Sequence, residues 1–370
     1  MPALLTEATV REAAQDDAIP NNRIMEPENA VQRECAAKTA KPRHRWFSFL
    51  CGGVLALLFM ELVLHNFSGK TENSAGFEER DYREGFAKAH FLANGLRVTG
   101  NPQIAGAPSM VLMGDSHVEA YSVWDEQTIG SILERRLRAE GKQINVLQYG
   151  WRGADGADYV YQAQLIEDQF HPDWIFLVTS AGDFTGTVTE AARLVERDGR
   201  VIAEGTTPAS TPGRPPSYGS AKLKRLKESG LIYASVVRLY REVLPLVTGR
   251  QREREITAAA EKKVSQNTVD MIARGLNTAY GGKLVVLYAP GQPYSADEPP
   301  EIQEAALLSA CQAHGMSCLS LRAGMIDDLL VRHKFDRGYS NTPPGTGHLS
   351  VRGQELVAEA IYARWKSLPK

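Results

Sequence analysis

Two residues far apart in the chain, Ser116 and His348, have the types and the settings that nucleophilic catalysis needs. Ser116 lies in the segment GDSH (114–117), directly after the apolar run MVLM (110–113), and is therefore predicted on a tight strand-to-helix turn with an exposed hydroxyl. His348 precedes a predicted final helix, with Ser350 as its N-cap. A serine hydroxyl attacks a carbonyl carbon when a base takes its proton. The pair predicts acyl-transfer chemistry.

Further polar or small residues follow the next two predicted strands. Gly150 comes after INVL (144–147), and a glycine there lets a backbone N–H approach an oxyanion. The segment SAGD (180–183) comes after WIFLVT. His117 is an alternative base, but a residue next to Ser116 at a helix start points in a different direction, which favours His348.

The elements that would position these residues alternate between short apolar runs and helical patterns. Short runs rich in Val, Ile and Leu, separated by helices, indicate buried parallel strands, and in such sheets ligands bind beyond the carboxyl ends. The fold class is therefore predicted as α/β, a doubly wound, flavodoxin-like parallel sheet of about five strands with helices on both faces. The predicted strands are 110–113, 144–147, 174–179, 283–289 and 317–321. The helical patterns occupy 129–137, 157–170, 252–279, 301–314 and 350–366.

An apolar stretch, WFSFLCGGVLALLFMELVL, precedes this region and is long enough for a transmembrane helix. Basic residues ahead of it predict a cytoplasmic N-terminus and an extracytoplasmic or periplasmic C-terminal domain, held at the cytoplasmic (inner) membrane by a single-pass anchor. The predicted organisation is a disordered cytoplasmic tail (1–45), an anchor (46–66), a stalk or linker (67–107) and a hydrolase-like domain (108–370). An insertion at about 185–250 is either a lid over the substrate or disordered.

Composition excludes several classes of protein. The 42 basic and 44 acidic residues give no basic excess, so no nucleic-acid partner is expected. The four cysteines form no CxxC pair, and neither a metal nor an organic cofactor is expected. Cys311 and Cys318 could form a disulfide in an oxidising compartment or remain free thiols. A basic cluster favours a solvated helix face over a site for an anionic polymer; its members are Lys222, Lys224, Arg225 and Lys227.

These motifs resemble those of the SGNH hydrolase superfamily, the GDSL-type esterases and lipases, over roughly residues 109–366. Gly114, Asp115 and Ser116 match the first family block, which implies that Ser116 is the nucleophile and that its N–H is an oxyanion donor. Gly150 matches the glycine of the second block, which implies a second donor. His348 matches the histidine of the last block, which implies the base. The family also has membrane-anchored members linked to acyl groups on envelope polysaccharides.

The sequence departs from the family pattern in two places. The third block is Gly-x-Asn-Asp in the family, and here Gly182 replaces the asparagine that donates to the oxyanion, while Asp183 is retained. The last block carries Thr346 and Gly345 where the family has an aspartate that orients the histidine. A backbone carbonyl, a water molecule or a distant acid such as Asp336 would then hold His348.

The sequence therefore predicts a serine-dependent ester hydrolase or O-acyltransferase. Its expected substrates are acylated carbohydrates or lipids of the cell envelope, and its expected mechanism uses a Ser-His dyad and an acyl-enzyme intermediate. The alternative is a catalytically weak SGNH-like domain that binds glycans or acts as a scaffold in envelope assembly, which the two departures motivate.

Overall fold

The computed structural model describes residues 43–67, 69–73, 76–80, 84–99, 103–189, 192–205 and 266–368. Nearly all of the predicted cytoplasmic tail, the basic cluster at 222–227, most of the predicted insertion and the first part of the helical pattern at 252–279 lie outside the described residues. The chain divides into two units, residues 1–54 and 55–370.

The boundary between the units falls within α1 (Arg43–Phe67), which contains the apolar run. Across the described residues, no helix combines the length and the apolar character that crossing a membrane requires. The predicted anchor over residues 46–66 is therefore not supported.

The second unit contains strands and helices in alternation after a strand-rich beginning. Its described strands are β1 (Gly69–Asn73), β2 (Gly76–Arg80), β3 (Lys88–Leu92), β4 (Ser109–Gly114), β5 (Asn145–Gly150), β6 (Trp174–Thr179), β7 (Ala192–Arg197), β8 (Arg200–Gly205), β9 (Leu284–Tyr288) and β10 (Ser317–Ser320). Its described helices are α2 (Ser116–Glu119), α3 (Ile129–Ala139), α4 (Gly156–Tyr161), α5 (Ala163–Phe170), α6 (Gln266–Tyr280), α7 (Ile302–Ala313), α8 (Arg322–Leu330) and α9 (Val351–Ser367).

Five of these strands form one parallel sheet in the order β10-β9-β6-β4-β5. This is the doubly wound, flavodoxin-like order, and it confirms the α/β fold and the five-stranded parallel sheet that the apolar runs predict. In the register, Gly114 at the end of β4 pairs with Gly150 of β5 on one side and Val178 of β6 on the other. The residues that follow these three strands therefore meet at one edge of the sheet.

Helices cover both faces of the sheet. Successive side chains of a strand point to opposite faces, so Val111 and Met113 of β4 belong to one buried cluster, whereas Met110 and Leu112 belong to the other. Helices α4 to α7 pack on the first face, and α3, α8 and α9 pack on the second. Each fully buried side chain of this kind contributes about 1.5–3 kcal/mol to folding. The core thus fixes the sheet edge from both sides.

The segment predicted as a stalk or linker (67–107) is folded where it is described. β1, β2 and β3 form an antiparallel sheet. Alternate residues of β3, Ala89 and Phe91, are buried with Tyr121, and Phe77 of β2 stacks on Phe91 with ring centroids 4.6 Å apart. The stalk prediction is wrong for these residues because the period-two pattern of β3 buries apolar side chains against the hydrolase-like domain.

The predicted insertion begins with an antiparallel hairpin of β7 and β8. The sequence left open whether the insertion is a lid or disordered, and most of its residues lie outside the described part of the chain.

Near the other end of the sheet, Cys311 of α7 and Cys318 of β10 form a disulfide across a turn in which Gly315 has a φ of +66°. The sequence left open whether these cysteines form a disulfide or stay free thiols, and in the structure they form the disulfide.

Candidate active site

Two glycines, Gly114 and Gly150, lie at the ends of the neighbouring strands β4 and β5. A Cβ atom at Gly114 would lie 2.7 Å from the carbonyl oxygen of Val178, and one at Gly150 would lie 1.9 Å from the backbone nitrogen of Glu119. Helix α2 therefore packs directly against the ends of the neighbouring strands. Both positions require glycine because backbone atoms occupy the space that a side chain would need.

Ser116 is the first residue of α2. The Asp115 carboxylate caps this helix by accepting the His117 N–H at 2.8 Å. The first N–H groups of a helix have no intrahelical acceptor, so the Ser116 N–H is available to an anion at this edge of the sheet. Burial, opposed by the His117 N–H and the charge of His348, raises the pKa of the Asp115 carboxyl.

His348 lies beside Ser116, as the sequence predicts for a nucleophile and its base. The Ser116 hydroxyl donates to His348 Nε2 at 2.8 Å. The histidine directly precedes the capped start of α9, where the Ser350 hydroxyl accepts the Gly353 N–H at 3.2 Å. At Gly353 a Cβ would lie 2.2 Å from the Asp336 carbonyl oxygen, so the loop before α9 packs tightly on this helix start.

Glu84 contacts the other side of the imidazole, and sequence reasoning missed it. His348 Nδ1 donates to Glu84 Oε2, and the backbone N–H of His348 donates to the same oxygen at 3.2 Å. Glu84 lies between β2 and β3, 264 residues before His348. With the Nδ1 proton held by a carboxylate, Nε2 is left as the acceptor for the serine hydroxyl.

Asp336, the distant acid suggested for His348, lies elsewhere. Its side chain is fully buried, and burial together with the neighbouring Asp328 carboxyl raises its pKa to about 8. Asp328 in turn accepts hydrogen bonds from Arg352 at 2.7 Å and pairs with Arg332. The suggested role of Asp336 is wrong because its carboxyl faces this arginine cluster, although its carbonyl oxygen accepts the Ser350 N–H at 2.8 Å.

His117, the alternative base, faces away from the serine hydroxyl. Its Nδ1 lies 3.3 Å from the Leu349 backbone nitrogen and its Nε2 lies 3.2 Å from Arg337 Nη1. Burial first, and then the positive charge of Arg337, holds the pKa of His117 well below its ordinary value. His117 is therefore a neutral packing residue whose ring centroid is 5.1 Å from that of His348.

The third family block forms a short 3-10 turn, Ala181–Phe184. Asp183 is buried and accepts hydrogen bonds from the Tyr159 hydroxyl at 2.8 Å and the Ser180 N–H at 2.5 Å. Burial and the nearby Asp115 raise the pKa of Asp183 well above its ordinary value. A Cβ at Gly182 would meet only Ser180 Oγ, at 3.7 Å. Asp183 therefore holds the turn, while Gly182 leaves open the space that an asparagine side chain would fill.

Charged and aromatic side chains pack against one another next to His348. The Tyr121 ring packs edge-on to the His348 ring at 5.4 Å, and the Arg152 guanidinium lies 4.1 Å from the Tyr121 ring centroid. Arg152 pairs with Glu119 at 3.0 Å and Glu79 at 2.9 Å. Among the residues with a described position, no group of three or more histidine, cysteine, aspartate or glutamate side chains could hold a metal ion.

The site thus brings Ser116 and His348 together at the edge of the sheet where β4 ends beside Gly150 of β5. This arrangement is chemically suited to attack on an acyl carbonyl.

No family profile matches the sequence, and no curated protein matches it. Solved structures that are similar to this chain include LAE5, an alpha/beta hydrolase enzyme from the metagenome of Lake Arreo in Spain, at 13% identity and a TM-score of 0.37 over 72% of this chain and 99% of that one. The psychrotrophic esterase EstA from Pseudoalteromonas sp. is similar at 10% identity and a TM-score of 0.37, over 70% and 96% of the two chains. A variant of Axe2, an acetyl xylan esterase from Geobacillus stearothermophilus, is similar at 12% identity and a TM-score of 0.38, over 70% and 95%.

Proposed function

We propose that this protein is a serine-dependent ester hydrolase or O-acyltransferase in which Ser116 is the nucleophile and His348 the general base. The observation that carries the proposal is the 2.8 Å hydrogen bond from the Ser116 hydroxyl to His348 Nε2, at the carboxyl edge of a parallel sheet. A nucleophile and a base within hydrogen-bond reach are the minimum that this chemistry requires.

The first half-reaction forms an acyl-enzyme. His348 Nε2 takes the proton of Ser116 while Oγ attacks the ester carbonyl carbon. The carbonyl oxygen becomes an oxyanion, which the N–H groups of Ser116 and Gly150 stabilise. When the tetrahedral intermediate collapses, the C–O bond to the alcohol breaks and His348 returns the proton to the leaving alkoxide.

The second half-reaction releases the acyl group. His348 removes a proton from water or from the hydroxyl of an acceptor, the resulting oxygen nucleophile attacks the acyl carbon, and Ser116 leaves with the proton that His348 returns. Hydrolase and transferase share the first half-reaction and differ only in this acceptor. The chemistry uses no cofactor.

Acylated carbohydrates or lipids of the cell envelope are the substrate class in this proposal, on the basis of the family resemblance. The Cys311–Cys318 bridge supports a periplasmic or otherwise extracytoplasmic domain, because disulfides persist in oxidising compartments. The alternative of a glycan-binding or scaffold protein is motivated by Gly182, which supplies no side-chain donor. The hydrogen-bonded Ser116–His348 pair favours the enzyme.

The test is active-site labelling of the full chain with a fluorophosphonate probe, read by intact mass and peptide mapping, together with hydrolysis of short-chain aryl esters. We expect one adduct, on Ser116, and no adduct in either Ser116→Ala or His348→Ala. A folded wild-type protein that stays unlabelled, or ester hydrolysis that persists in Ser116→Ala, would overturn the proposal. A sugar acceptor that diverts the acyl group from water would identify the transferase.

A further inference from the structure

The small antiparallel sheet ahead of the parallel sheet reaches the active site through Glu84. One oxygen of this residue, Oε2, accepts from both the ring Nδ1 and the backbone N–H of His348. Two bonds to a single oxygen fix both the position of the histidine backbone and the rotation of its ring. They also select the tautomer in which Nε2 accepts the Ser116 proton.

Glycines on both sides permit this contact. Gly347 has a φ of +79°, and a Cβ there would lie 2.5 Å from Glu84 Oε1. Gly85 has a φ of +74°, and a Cβ there would lie 2.7 Å from the Ser122 carbonyl oxygen. The Gly85 N–H donates to Asn341 Oδ1 at 2.8 Å, which ties the Glu84 segment to the loop that carries His348. A left-handed φ is strained for residues with a side chain.

Ion pairs tie the same sheet to the hydrolase-like domain. Arg152, two residues after Gly150, pairs with Glu79 of β2 at 2.9 Å. The buried Arg97 pairs with Asp125 at 2.7 Å, and its backbone N–H donates to the Gln148 carbonyl of β5 at 2.9 Å. The sheet therefore holds a fixed position next to the end of β5.

The other acids near this loop have different partners. The Asp115 carboxylate caps α2, and the Asp336 carboxyl faces Asp328. The last-block positions that hold an aspartate in the resembled family are Gly345 and Thr346. On the premise that Ser116 and His348 perform the proposed reaction, we propose that Glu84 is the positioning acid of His348 and that the sheet β1–β3 holds the Glu84 segment beside it.

Glu84 holds His348 in the productive tautomer and stabilises the imidazolium that forms when Ser116 attacks. The transferred proton moves only between Ser116, His348 and the alcohol or water. The sheet thereby supplies a group to the reaction although it contributes no strand to the parallel sheet.

The test compares Glu84→Gln, Glu84→Asp and Glu84→Ala in the full chain. We expect Glu84→Gln to lower kcat ~10³- to 10⁴-fold with little change in KM, as removal of an orienting carboxylate does. The shape of the kcat/KM pH profile should change in Glu84→Gln, because the imidazole loses the carboxylate that its Nδ1 contacts. Formate should restore part of the activity of Glu84→Ala and none of that of His348→Ala. Glu84→Asp, whose carboxyl is one methylene short, should lose ~10²-fold.

Two control variants separate this role from a structural one. Glu78→Gln removes a carboxylate of the same small sheet that pairs with Lys88, and Asp336→Asn removes the rival acid. Both should keep the wild-type pH profile. If Ser116→Ala is inactive while Glu84→Gln stays within ~3-fold of wild type with the same pH profile, the role of Glu84 is refuted and the proposed function stands. Activity in Ser116→Ala would instead refute the function itself.

Discussion

The buried Asp328–Asp336 pair makes the stability of this protein pH-dependent in a calculable way. The Asp336 side chain is fully buried, and its pKa rises from 3.8 to about 8 because of burial and the neighbouring Asp328 carboxyl. Asp328 remains ionised because Arg352 and Arg332 bind it, and its pKa is lowered. At neutral pH Asp336 is therefore the protonated member of the pair. Replacing it by asparagine keeps the shape and removes the ionisation.

The sign of the effect follows from proton counting. In the unfolded chain Asp336 loses its proton near pH 4, whereas in the folded protein it keeps the proton up to about pH 8. Between these values the unfolded state binds fewer protons, so the free energy of unfolding falls as the pH rises, by about 1.4 kcal/mol per pH unit. From pH 6 to pH 8 this amounts to about 2 kcal/mol, because the slope falls as the pH approaches the folded-state pKa, or about 5–9 °C in Tm.

Urea and thermal unfolding of wild type and Asp336→Asn at pH 5, 6, 7 and 8 measure this directly. The difference between the two proteins isolates Asp336 from the other titrating groups. We expect the stability of the asparagine variant relative to wild type to rise at each step from pH 5 to pH 8, and to be greater by about 2 kcal/mol at pH 8 than at pH 6. Asp327→Asn, which removes an exposed partner of Arg332, is the matched control and should parallel wild type. Parallel pH profiles for wild type and Asp336→Asn would refute the reasoning.

Three further variants test the site and its support. Gly150→Ala should lower kcat at least ~10²-fold or prevent folding, because its Cβ would displace the Glu119 backbone at the end of α2; circular dichroism and ester hydrolysis separate the two outcomes. Gly182→Asn should raise kcat about 10-fold, because the side chain enters open space and supplies a third oxyanion donor; unchanged or lower kcat would count against this. Cys311→Ser, which frees Cys318, should lower the free energy of unfolding by about 2–3 kcal/mol in denaturant titrations, because the bridge closes a short loop.

The parallel sheet could be predicted from the sequence because its strands are buried on both faces. Such strands read as continuous apolar runs, and all five runs became strands of the sheet. The strands β1 and β2, with the sequences GKTEN and GFEER, carry charged residues and no continuous apolar run, so their pairing depends on neighbours that the local sequence does not specify. The β7–β8 hairpin also lies outside the parallel sheet, and the sequence analysis did not predict it.

The residues of the site also differ in whether they could be predicted from the sequence. Ser116, Gly150 and His348 follow strands or precede a helix, so the edge of the sheet brings them together once the strand order is known. Glu84 is one of five acids between residues 66 and 85, and nothing in its local sequence distinguishes it. Asp336, the distant acid suggested for His348, is instead placed by its neighbour Asp328, which pairs with Arg332 after α8 and with Arg352 of α9.

On the proposed mechanism, the contact between Glu84 and His348 makes turnover a reporter of complete folding. Its partners are separated by 264 residues, and the serine lies 232 residues from the histidine, so the three groups meet only after the whole of the domain has been synthesised and both of its ends have docked. A nascent or partly unfolded chain holds the nucleophile without its base. On that mechanism, recovery of turnover during refolding follows the last long-range contact to form.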